Sequence, residues 1–276
     1  MSQQPLAGRD EAVDNAAVAP LSNPRRLLDN PRVLGWGSVA LFLVVWEVSA
    51  RIAGVSPLYL PRPTHIVVAL IELFRDGGLT IDLAVTLYRI FAGFGLALVA
   101  GTLLGVWIAT SWRVQAVADM FIAALYPLPK ITLIPLLIIW LGTGGPFMLT
   151  ISFLGAIFPI VINTVLGVQQ CEPGLVLAAR DLGATQQQIV RRVLIPSAIP
   201  AIFAGVRLGL GVSIILVVAA EMVVGKLGLG ARLYLSGQIL ETEQVFAVLI
   251  VLAILGIIVS KGQDAIDVWL GRWRTG

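Results

Sequence analysis

Four charged side chains lie inside otherwise apolar runs: Arg89, Lys130, Arg207 and Glu221. A charge in hydrocarbon is expensive unless it meets water, a counter-charge or backbone carbonyls, so each of these needs a partner or a purpose. Arg89 and Glu221 suit either a salt bridge between neighbouring segments or the mouth of a polar pathway. Lys130 lies among Pro127, Pro129 and Pro135, each of which removes a backbone donor and disrupts the helical ladder. That pattern has two readings: a cation facing an aqueous path that favours anions, or a lysine capping carbonyls left free at Pro129 and Pro135. Arg207 is close enough to a segment end for its long stem to carry the guanidinium to the interface. Glu47 and Arg51, spaced four apart with the acid first, fall on one helix face as a neutralising pair.

Catalytic chemistry has no foothold. No G-x-x-x-x-G-K-[ST] loop exists to cradle nucleotide phosphates, so no cofactor is expected in this chain. H-E-x-x-H and G-x-S-x-G are missing too. The lone Cys171 excludes an intrachain disulfide and reads as a small residue at a helix start, and the single His65 reads as an interfacial side chain.

The elements that position these charges are membrane spans. Of 276 residues, 58% are hydrophobic and 13% charged, with a mean hydropathy of +0.92. A soluble domain holds about 45–50% apolar residues. Six apolar runs reach the length needed to cross hydrocarbon: 33–53, 82–110, 117–141, 147–168, 201–224 and 245–260. The expectation is an all-α integral membrane protein with a transmembrane domain over 33–262. It is flanked by a polar, mobile tail over 1–32 and an interfacial tail over 263–276. Arginines and lysines concentrate in the tails, at Arg113 and in 169–200, which places those segments and both termini in the cytoplasm. The basic residues are scattered as topology signals, not gathered into a patch for nucleic acid, despite the net charge of +3.

Between the spans, His65–Phe74 reads as an amphipathic helix on the outer surface, and 225–244 as an outer segment with a short surface helix. Gly93, Gly95, Gly101 and Gly105 are expected to make a thin face on the second span, and Gly205, Gly209 and Gly211 another on the fifth, where backbones pack closely. The third span, broken by prolines, should line something, because freed backbone groups at membrane depth need protein or a water-filled cavity.

The stretch 169–200, QQCEPGLVLAARDLGATQQQIVRRVLIPSAIP, is the least oily long interior segment. Pro173 suits a first helical turn, Leu175–Leu182 reads as one short helix and Gly183 as its stop, and Gln186–Ile195 as a second helix. Pro196 and Pro200 mark the return into the membrane. Ala178, Ala179, Gly183 and Ala184 leave a low-relief surface ringed by Arg180, Asp181, Arg191 and Arg192. Such a hairpin is either an ordinary connector or a seat for another protein.

Ala178-Ala179-x-x-x-Gly183, then nine residues, then Val193-x-Ile195-Pro196 resembles the EAA loop of ABC-importer permeases, with Leu177 where the motif has glutamate. LYPLPKITLIPLLIIWLGTG before it and GVRLGLGVSIILVVAAEMV after it resemble the permeases of the nitrate, sulfonate, taurine and bicarbonate group. The resemblance implies a type I importer permease fold in a bacterial inner membrane, with 169–200 coupling to a separate ATPase through Ala178, Ala179, Asp181, Gly183, Ala184, Arg191 and Pro196. It further implies a homodimer of this chain, two ATP-binding subunits, an extracytoplasmic solute-binding protein and a small anionic substrate. Lys130, Arg89, Glu221, Pro129 and Pro135 are the pathway candidates, with the path between two copies, lined by the third and fifth spans. The alternatives are an ion-driven secondary transporter, against which few buried acids speak, and a membrane scaffold, which needs no broken span.

Overall fold

Apolar stretches of this length fold as helices because lipid offers the backbone no hydrogen-bond partners, and helices are what the computed structural model contains. It describes residues 31–52, 54 and 56–271. The N-terminal tail lies outside these residues except for Pro31 and Arg32, which open the first helix, and so does 272–276 of the C-terminal tail. In order, the helices are α1 (Pro31–Ile52), α2 (Pro63–Arg75), α3 (Gly78–Thr110), α4 (Trp112–Leu125), α5 (Ile134–Leu141), α6 (Gly145–Gln169), α7 (Pro173–Asp181), α8 (Gln186–Ile189), α9 (Ile195–Val224), α10 (Leu229–Gln238) and α11 (Thr242–Gly271). A 3₁₀ turn, Lys130–Leu133, precedes α5, and a π turn, Val190–Leu194, joins α8 to α9.

Among the described residues, five helical stretches are long and apolar enough to cross a membrane, and the pair Trp112–Leu125 and Lys130–Leu141, bent by 86°, makes a sixth if it counts as one span. The core is a stack of α3, α6 and α9. Gly93, Gly101 and Gly105 on α3 face Ser152, Ile160 and Thr164 on α6, while Gly155 and Ala156 on α6 meet Ser213 and Gly209 on α9. With so little side chain between them, the helices also bond directly: Ser152 Oγ donates to the Ile90 carbonyl at 2.8 Å and Ser213 Oγ to the Ser152 carbonyl at 2.7 Å. Gly95 and Gly211, expected on these seams, face open space: a Cβ at either would meet nothing within 4 Å. Each is two residues from a seam glycine, a rotation of about 200° at ~100° per residue, so each points away from α6.

A second cluster surrounds this stack. Ile66, Ala69 and Leu73 of α2 pack with Leu79, Leu229 and the α11 residues Ala247, Val248, Val251 and Leu255. The amphipathic helix α2 therefore lies against α11. Helix α10 buries one face, Leu229, Gly230, Ala231 and Ser236, and exposes Tyr234 and Leu235 on the other, as an amphipathic surface helix does. Two boundaries differ from the sequence reading. Helix α11 does not stop at 260 but continues to Gly271, with Asp264 and Asp267 taking Arg207 as partner at 2.8 and 3.8 Å. Arg207 is thus paired with protein rather than reaching free to the interface. Nor does the chain break at Pro196 and Pro200. Gln186–Val224 is one helical run of 39 residues, because the π turn absorbs the missing donor and the ring of Pro196.

Candidate coupling hairpin and intramembrane charges

The hairpin is built by local signals. Pro173 lies in the first turn of α7, where its missing N–H is one of the unpaired donors in any case. The helix ends in a Schellman motif: Ala184 N donates to the Ala179 carbonyl at 2.9 Å and Gly183 N to the Arg180 carbonyl at 2.8 Å. Gly183 stands at φ +78°, a conformation costly for any residue with a Cβ. Thr185 then starts α8 with a capping box, accepting from Gln188 N at 3.3 Å while Gln188 Oε1 accepts from Thr185 N at 2.8 Å. Ile189, 1% exposed, is the buried anchor of the second arm.

Between the arms opens a concavity of about 360 Å³, lined by Ala179, Leu182, Gly183, Ala184, Ile189 and Arg192 among others. Of the sequence candidates, Ala179, Gly183 and Ala184 lie in it. Ala178, Asp181 and Arg191 are exposed beside it, and Pro196 lies beyond the π turn at the start of α9. Leu182, 89% exposed, forms the tip.

At the other end of the molecule α3 presents Asp82, Thr86 and Arg89, spaced four and three apart and so on one face. They hold the α9–α10 turn by its backbone. Asp82 accepts from Gly228 N at 2.8 Å, Thr86 from Leu229 N at 2.9 Å, and Arg89 donates to the Leu227 carbonyl at 2.7 Å. Arg89 also pairs with Glu221 of α9 at 2.6 Å. Glu221 has no exposed surface, and accepts further bonds from Thr86 and from Gly230 N at 3.0 Å. Asp82 is ion-paired with Arg232 of α10. Arg89 and Glu221 therefore meet as a salt bridge within one chain, and in this conformation Glu221 offers no atom to a passing solute. The sequence reading missed Asp82, Thr86 and Arg232, although the i, i+4, i+7 spacing of the α3 triplet was legible.

Lys130 sits where the third span bends. Its ammonium donates to the Tyr126 carbonyl at 2.5 Å and lies 4.9 Å from the Tyr126 ring and 5.2 Å from that of Phe158 on α6. The prolines divide the work. Pro127 and Pro129 lie in the gap between α4 and the 3₁₀ turn, while Pro135 breaks nothing, because it stands in the first turn of α5. The carbonyl that Lys130 caps belongs to Tyr126; the Ile131 carbonyl that Pro135 leaves free takes the N–H of Ile134 instead.

A stack of membrane-length helices with one broken span and a projecting two-helix hairpin defines a class, the transmembrane subunit of a solute transporter. The chain belongs to the family of binding-protein-dependent transport system inner membrane components, whose pattern it matches over residues 101–272. It is 31% identical over 246 residues to the taurine transport system permease protein TauC of Escherichia coli K12, covering 87% of this chain and 90% of that protein. The putative aliphatic sulfonates transport permease protein SsuC of Bacillus subtilis 168 is 31% identical over 235 residues, 85% of each chain. The nitrate import permease protein NrtB of Synechocystis is 29% identical over 249 residues, 87% of this chain and 90% of that one. In structure it resembles the inward-facing MetNI methionine ABC transporter, with a TM-score of 0.59 and 25% identity over 67% of this chain and 92% of that one. The protein is thus a multi-pass membrane permease with the ABC-importer fold.

Proposed function

We propose that this chain forms the translocation path of an ATP-driven importer for a small anionic solute, and takes its power from a separate ATPase seated on the 169–200 hairpin. The observation that carries this reading is mechanical. The hairpin's second arm is continuous with α9 over Gln186–Val224, so a force on the concavity is delivered straight into the α3–α6–α9 stack. Closure of two ATP-bound subunits would draw two hairpins together and rock the attached helices between two states of different substrate affinity. The assembly is two copies of this chain, two ATP-binding subunits and an extracytoplasmic solute-binding protein, with the hairpin and both termini in the cytoplasm. ATP is held by the partners. The anionic class is supported by the relatives, whose names specify taurine, aliphatic sulfonates and nitrate, each bearing an oxyanion.

An ion-driven carrier is disfavoured by a specific observation: the buried acids Asp82 and Glu221 are both occupied by arginines, leaving neither open to a coupling ion. The test is co-purification. The wild-type chain should carry an ATP-hydrolysing subunit through purification and support uptake. Gly183→Trp, which puts a bulky ring at the turn of the hairpin and strains its backbone there, should reach the membrane yet lose both. Normal uptake by that variant refutes the docking role.

A further inference from the structure

A lysine ammonium has three donors, and only one of Lys130's is accepted among the described residues, by the Tyr126 carbonyl. No carboxylate lies within ion-pair distance of it among those residues. Two aromatic faces replace the missing counter-charge in part, since ring quadrupoles attract a cation but leave its hydrogen-bond donors unused. The ammonium is therefore fixed in position and still short of acceptors.

Its depth follows from Phe158, the fourteenth of the 25 residues of α6. A helix of that length spans about 37 Å at ~1.5 Å per residue, so its midpoint lies near the middle of the bilayer. The underfilled cation thus stands at mid-membrane depth, at the elbow of a span bent by 86°. Irregular backbone is tolerated at that depth only where it lines a cavity or is buried in protein. Tyr126 is 47% exposed, and its neighbours Leu125, Leu128 and Ile131 are 42–47% exposed, so among the described residues no other element of the same chain covers the elbow. Its walls are apolar and aromatic. An inorganic anion gains nothing from such walls, whereas an organic anion places its charged head on Nζ and its stem against the rings.

We infer that Lys130, between Tyr126 and Phe158, is a mid-membrane subsite for the oxyanion head of a small organic sulfonate or carboxylate, whose apolar stem lies against the two rings. This rests on the reading of the chain as an anion permease and names its substrate class.

The probe is ethanesulfonate, added to the complex of this chain with its ATPase in lipid nanodiscs, with thermal unfolding followed against sodium chloride of equal ionic strength. Ethanesulfonate should raise the melting point of the wild type more than nitrate does. Lys130→Met should weaken the apparent affinity at least about tenfold, and Lys130→Arg, which keeps the charge, should largely retain it. Phe158→Leu should weaken ethanesulfonate severalfold and leave the smaller response to nitrate unchanged, and it carries the test if Lys130→Met does not fold. The subsite is overturned if the wild type shows no shift, if Lys130→Met keeps it, or if nitrate equals ethanesulfonate in the wild type. Co-purification of the ATPase separates the two readings: with the ATPase bound and no shift, only the subsite fails, whereas a chain that binds no ATPase removes the permease reading itself.

Discussion

Arg89 on α3 and Glu221 on α9, separated by 132 residues in the chain, meet at 2.6 Å with the glutamate wholly enclosed. The contact ties the N-terminal half of α3 and the C-terminal end of α9 to the turn that leads into α10. Because Thr86 and Gly230 N also donate to the carboxylate, its charge is shared among three separate donor groups. Removing one partner strands the other.

Arg89→Met should therefore destabilise the protein by about 3–5 kcal/mol, and Arg89→Met/Glu221→Met should recover much of that loss. Equilibrium unfolding in bicelles measures both. Losses that simply add would show that the two side chains act independently.

The hairpin is held by its caps together with one buried anchor, Ile189. Thr185→Ala removes the side-chain half of the capping box and should cost about 1 kcal/mol. Hydrogen exchange of amides in 173–194 should accelerate about fivefold, with α3 and α6 unaffected. An unchanged hairpin exchange rate would mean that packing around Ile189 alone holds it.

Two glycines of α3 make a matched comparison. A side chain at Gly105 meets Thr164 Cγ2 at 2.7 Å, whereas one at Gly95 meets nothing within 4 Å. Gly105→Leu should destabilise by about 1–3 kcal/mol through overpacking, and Gly95→Leu should be near neutral. Thermal aggregation in detergent separates them, and equal shifts would contradict the α3–α6 seam.

The π turn sets the angle of the hairpin on α9. Deleting Arg191 should close the turn to regular α-helix and rotate the hairpin by about 100° relative to the stack. The expected outcome is a folded, membrane-inserted chain that no longer retains the ATPase on purification. Retention at the wild-type level would show that the hairpin's orientation is not what the partner reads.

Much of this molecule is written in short-range pattern. The Glu47–Arg51 pair, found at 2.7 Å, needs only a spacing of four on one helix. The break in the third span follows from Pro127 and Pro129, and the two-helix hairpin from Pro173, the small residues and Gly183. The capping box at Thr185 was equally available, in a Thr followed three residues later by Gln.

What the tertiary structure alone decides is which surface of each helix turns toward which neighbour. Spacing put Gly95 and Gly211 with the other glycines, but rotation about the helix axis excludes them. Nothing in the spacing of Arg232 points to Asp82, and only the approach of α10 to α3 makes the two partners. Pro196 reads as a helix end in a linear sequence, yet one widened turn lets the helix run through it. Periodicity fixes a stripe on one cylinder; the partner across the gap depends on how several cylinders rotate together to bury their small residues, and no single segment encodes that.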